Sequence, residues 1–161
     1  MTCTLTDVSV TGNVTVGQGA GLTVNGGTFS GNVTGISCFF VNLFGPDLEI
    51  NGNVLIESYT GNSGASIQPG APIVIDGNFQ CSNLAPGGCT LIGATVGGNV
   101  LILNNHVVGF ESNIGDNTIS GNLVCQGNTP GVMNFSPGPN VVAGHKTRPV
   151  CGPGLLERWS T

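Results

Sequence analysis

Apolar and polar side chains alternate along most of this chain, and one triplet interrupts the alternation at regular intervals. Gly12-Asn13-Val14, Gly31-Asn32-Val33, Gly52-Asn53-Val54, Gly77-Asn78-Phe79, Gly98-Asn99-Val100 and Gly121-Asn122-Leu123 stand 19 to 25 residues apart. Two positions before each glycine is a large apolar residue: Val10, Phe29, Ile50, Ile75, Val96 and Ile119. Four positions after it come Val16, Ile56, Cys81, Ile102 and Cys125, with Gly35 the exception. Three positions before it are Ser9, Thr28, Glu49, Thr95 and Thr118. A period of two marks strands with one buried face. The density of Gly, Asn, Val and Thr opposes helix. Short strands that recur at this interval predict an all-β, single-domain parallel β-helix (a β-solenoid), its coils stacked roughly 4.8 Å apart.

The repeated asparagine has a physical reason. It tolerates the left-handed backbone of a tight corner, and its amide can bond the same amide one coil away. Asn13, Asn32, Asn53, Asn78, Asn99 and Asn122 therefore predict a stacked amide ladder. Asn13-Val14-Thr15 and Asn32-Val33-Thr34 also fit the N-glycosylation sequon, but burial in a ladder would withhold them. A degraded seventh corner, Val142-Ala143-Gly144-His145-Lys146, puts His145 at the ladder position and Lys146 at a core position. Polar groups there read as a cap that ends the stack; a metal ligand or catalytic base is the competing role for His145. About seven coils result, roughly 30 Å long. Residues 1–151 form the solenoid and 152–161 a C-terminal tail or cap.

Charge narrows the partners. Only 7% of residues are charged and the net charge is −5. The three basic residues, Lys146, Arg148 and Arg158, all fall near the end of the chain. This distribution argues against nucleic acid and anionic membranes, and no apolar run is long enough for membrane insertion as a helix.

Six cysteines without a CxxC pair predict a disulfide framework and an oxidising compartment. The expectation is a secreted or cell-surface protein whose signal peptide has been removed, Met1 being an expression start; the alternative is a cytosolic protein with six buried thiols. Cys81 and Cys125 share an offset two coils apart, beyond disulfide reach. Cys125 with Cys151 would pin the C-terminal cap, Cys81 with Cys89 would close the Pro-Gly-Gly turn, and Cys3 with Cys38 would fasten the first coil.

Over about residues 8 to 151, the Gly-Asn corners and flanking strands resemble the right-handed parallel β-helices of the pectate-lyase-like superfamily. The stretch from Asn117 through Gly121-Asn122-Leu123 to Cys125-Gln126-Gly127-Asn128 also resembles an ending found in secreted actinobacterial proteins without known activity. The superfamily resemblance implies a right-handed solenoid. It also raises a calcium-assisted lyase with a basic catalytic residue, yet the coils offer no Lys or Arg before Lys146.

The hydrolase variant needs clustered carboxylates. Asp47, Glu49 and Asp76 all alternate outward on adjacent coils, which allows an acid/base pair or a calcium ion; ordinary solubilising charge is the simpler role. No zinc pairs and no EF-hand loop occur, so no cofactor is expected. Gly17-Gln18-Gly19-Ala20-Gly21 lacks the residues of a phosphate loop and reads as a turn. Phe39, Phe40 and Phe44 cluster in the second coil, where packing is the simpler role, and His106 reads as a loop residue. The outward threonines Thr15, Thr34, Thr95 and Thr118 are too interrupted for an ordered ice-binding lattice. The expected function is therefore non-catalytic: a structural, self-assembling or adhesive role at the cell surface or in the extracellular matrix, as a homo-oligomer or filament. The alternative is a polysaccharide-binding or polysaccharide-degrading β-helix acting on an extracellular glycan through the acidic cluster.

Overall fold

The computed structural model describes residues 1–58, 64–67, 72–108, 112–136 and 138–147. The strands run in chain order as β1 (Thr2–Val10), β2 (Val14–Val16), β3 (Gly21–Phe29), β4 (Val33–Ile36), β5 (Phe40–Ile50), β6 (Val54–Glu57), β7 (Gly64–Ile67) and β8 (Ile73–Ile75). They continue as β9 (Phe79–Ser82), β10 (Cys89–Ile92), β11 (Ala94–Val96), β12 (Val100–Leu103), β13 (Asn113–Gly115), β14 (Thr118–Ile119), β15 (Leu123–Gln126) and β16 (Val141–Val142). Every pairing between them is parallel, and no helix occurs among the described residues. The chain is a parallel β-solenoid.

Each turn has three faces. The first stacks β2, β4, β6, β9, β12 and β15 into one sheet of six strands. The other two belong to a single ten-stranded sheet that divides as it descends. Strand β5 pairs with β7 through Phe40–Leu43 and with β8 through Leu48–Ile50, so one bent strand becomes two. The second face then continues through β10 and β13, the third through β11, β14 and β16. Six turns are complete. Of the predicted seventh, the described residues hold the beginning: β16 pairs with β14, and Lys146 bridges Leu123.

Alternation fills the interior. The column Val14, Val33, Val54, Phe79, Val100, Leu123 points inward from the first face. Phe29, Ile50, Ile75, Val96 and Ile119 do the same from the third. All these residues except Val14 are at least 97% buried. At roughly 25 cal/mol per Å² of apolar area removed from water, these columns are the main favourable contribution to the fold.

The corners differ from expectation in one respect. No ladder asparagine has a positive φ; among the described residues the left-handed non-glycine positions are Asp7, Ser37, Asp47, Asn83, Asn104 and Asp116, all at the other two corners. At the Gly-Asn corner the glycine serves close approach. A Cβ at Gly77 would stand 2.6 Å from the carbonyl oxygen of Gly52, one turn earlier.

The cysteines also divide. Cys81 and Cys89, both fully buried, are joined by a disulfide that closes the corner between β9 and β10. Cys125 is disulfide-bonded; its expected partner, Cys151, lies outside the described residues, as does the predicted tail 152–161. The Cys3–Cys38 bridge does not form. Cys3 is paired with Leu22, and Leu22 with Val41, so Cys3 stands two strand spacings (roughly 9.6 Å) from the turn that holds Cys38. Cys38 carries a buried thiol near Gly35 and Val41, and burial pushes its pKa above the ordinary thiol value.

Candidate functional site: ladders, faces and an acidic edge

The predicted ladder forms. Within each consecutive pair, the later asparagine donates both its backbone N–H and its Nδ2–H to the earlier Oδ1. Asn32 reaches Asn13 at 2.8 and 3.1 Å, and Asn53 reaches Asn32 at 2.8 and 3.0 Å. Asn78, Asn99 and Asn122 repeat the arrangement at 2.8 to 3.0 Å. At the seventh corner the backbone N–H of His145 donates to Asn122 Oδ1 at 2.8 Å, and the amide file stops. Lys146, instead of entering the core, donates from Nζ to the Asn140 carbonyl at 3.0 Å. Asn13, at the opposite end, is exposed, so burial does not withhold the first sequon as expected.

Two shorter ladders escape the Gly-Asn-hydrophobe pattern. Buried Asn105 donates its N–H and Nδ2–H to Asn128 Oδ1, at 3.1 and 2.9 Å, at the corner after the first face. Buried Asn117 does likewise to Asn140 Oδ1, at 3.2 and 2.8 Å, at the corner after the second. Both run opposite to the main ladder: here the earlier asparagine donates to the later one. Their signal in the sequence is a separation of 23 residues, the same as between Asn99 and Asn122.

The register aligns outward side chains into files. Ser9, Thr28, Glu49, Val74, Thr95, Thr118 and Val141 succeed one another on the third face. Thr15, Thr34, Leu55, Gln80, Leu101 and Val124 do so on the first. The second face carries the most uniform file, Thr4, Thr23, Asn42, Ser66, Thr90 and Asn113, with a hydroxyl or amide on six successive turns. Over part of it lies a shallow groove of about 220 Å³, lined also by Phe40, Gly64, Ala65 and Gly88. Its polar lining is Asn42, Ser66 and Thr90. Phe39, next to Phe40, is 51% exposed, so this pair does not simply pack into the core.

The acidic candidates lie elsewhere, on the third face and at its edges. Asp47, Glu49 and Asp76 are all exposed. Val74, not an acid, is the partner of Glu49, and Asp76 comes directly after Ile75, the partner of Ile50. The carboxylates thus stand diagonally across adjacent strands. Among the described residues no three His, Cys, Asp or Glu side chains converge to hold a metal ion. His106 is exposed and bridges Thr129 through its backbone.

No protein family, curated protein or solved structure was found to match this chain. Its function must therefore be read from the fold and its surfaces.

Proposed function

We propose that this chain is a non-catalytic structural protein acting outside the cell, a stiff spacer that adheres through its flat faces. The carrying observation is the hydroxyl and amide file on the second face, held at strand spacing by in-register pairing over six turns. Such a file offers repeated donors and acceptors with little rotamer entropy left to lose on contact. Nearly uncharged faces favour a neutral partner, in keeping with the low charge of the whole chain. The buried Cys81–Cys89 disulfide suits an oxidising compartment and supports the extracellular assignment. Kinship with the pectate-lyase-like superfamily belongs to this proposal too, on the strength of the laddered corners.

A second reading is favoured by the groove: a neutral polysaccharide strand lying along the second face, its sugar rings against Phe39 and Phe40 and its hydroxyls on Asn42, Ser66 and Thr90. Co-sedimentation with insoluble neutral polysaccharides and with isolated cell walls tests both. The expected result is depletion of the protein onto the solid, weakened at least tenfold by Ser66→Arg with Thr90→Arg, at unchanged melting temperature. No depletion onto any matrix would overturn the adhesive reading. Depletion unaffected by the two arginines would move the adhesive surface off the second face.

A further inference from the structure

The two ends of the solenoid are chemically unlike. At the N-terminal end, β1 pairs on one edge only among the described residues, with β3, and leaves the backbone donors and acceptors of alternate residues along the other. The inward positions of this first turn are open as well. Leu5, Val8, Val10 and Val14 are only half-buried, although Val24, Phe29 and Val33, the counterparts of Leu5, Val10 and Val14 in the next turn, are completely buried. The sole charged side chain among residues 1–20 is Asp7. In the main ladder every asparagine after the first donates to the one before, so Asn13 accepts both bonds from Asn32 and has no earlier rung to donate to among the described residues.

The last described turn is the reverse. His145 replaces the asparagine and supplies no amide oxygen to a further rung. Lys146 is the last described residue of the inward column that Val14 begins, so covering it would desolvate an ammonium group. Head-to-tail stacking would set Asn13 against His145, which has no amide oxygen to accept from it. An open filament is disfavoured by the same two residues.

We propose that the N-terminal end is a self-association surface that takes the N-terminal end of a second copy, giving a closed two-fold dimer. Across such an axis β1 lies antiparallel to its own equivalent, the two open apolar ends cover one another, and neither Lys146 is part of the contact. An isologous contact of this kind closes at two. One turn of about 20 residues per side is the lower bound of a specific interface, so the dimer is reversible. The inference rests on the structural role proposed above but fails separately from it: a chain that stays monomeric yet still sediments with its polymer refutes the dimer alone.

Sedimentation velocity of the 161-residue chain across a concentration series is the test, with two variants. Val14→Lys places at the open end the residue that the other end already carries in the same column, and should weaken dimerisation at least tenfold. His145→Asn with Lys146→Val restores the ladder and core positions at the capped end, and should produce species larger than the dimer. The wild type should pass from monomer to dimer and no further. A wild type that is monomeric throughout, or that grows into filaments, overturns the proposal. So does a folded Val14→Lys variant that dimerises normally. Should that variant not fold, an unchanged distribution for the doubly substituted cap overturns it instead.

Discussion

Asn78→Ala removes the middle rung of the main ladder. The substitution deletes three side-chain hydrogen bonds: two accepted by Asn78 Oδ1 from Asn99, at 2.8 and 3.0 Å, and one donated by Nδ2 to Asn53 Oδ1, at 3.0 Å. A net hydrogen bond contributes about 0.5–1.5 kcal/mol, and a desolvated donor left unpaired costs about 1–3 kcal/mol. Asn99 is part-buried, so its stranded N–H does not fully recover water. The expected loss is about 3 kcal/mol, or a melting temperature lowered by about 6–12 °C for a chain of this size. Asn13→Ala is the control. It also deletes two accepted bonds, but at an exposed corner where water replaces them, and should cost about 1 kcal/mol or less. Guanidinium denaturation monitored by far-ultraviolet circular dichroism measures both, and amide exchange at Asn99 reports the stranded donor. Equal losses at the two positions would refute the ladder as a burial-dependent stabiliser.

The packing carries three further expected outcomes. Gly77→Ala would press a methyl group against the Gly52 carbonyl, and should destabilise by about 1–3 kcal/mol even though φ at this glycine is unexceptional. Replacing Cys81 and Cys89 together by alanine should cost about 2.5 kcal/mol, the chain-entropy value for a loop of 8 residues, read as a shift in denaturation midpoint. In the unreduced protein a thiol reagent should label exposed Cys3 before unfolding, Cys38 only after it, and Cys81 and Cys89 only after reduction. Because burial raises the Cys38 pKa, its contribution to stability is full below the unfolded thiol pKa. That contribution is lost as pH rises from there through the folded value; early labelling of Cys38 in the native state would contradict its burial.

The first and third faces were legible because they flank the Gly-Asn triplet at fixed offsets. Ser9, Thr28 and Glu49, or Val14, Val33 and Val54, fall into register by counting alone. The second face was not, because the corner before it varies in length. The same outward column is reached eight residues after Thr15, at Thr23, but twelve after Leu101, at Asn113. Its hydroxyl file therefore had no visible period. The corner chemistry was misassigned for a related reason. Asparagine and glycine suit both left-handed backbone and close contact, and composition does not distinguish them; the spatial approach of Gly77 to Gly52 does. The Cys3–Cys38 expectation failed on distance along the stack, which sequence separation concealed.

Holding a partner without transforming it is what separates a structural solenoid from an enzyme built on the same coils. Incubation with a panel of insoluble polysaccharides, with bound protein and released soluble sugar measured in the same tubes, distinguishes the two. Depletion of the protein from solution with no sugar release is expected, and the same behaviour from Asp76→Asn. Release of soluble sugar that Asp76→Asn abolishes would overturn the structural role and make the acidic edge an active site.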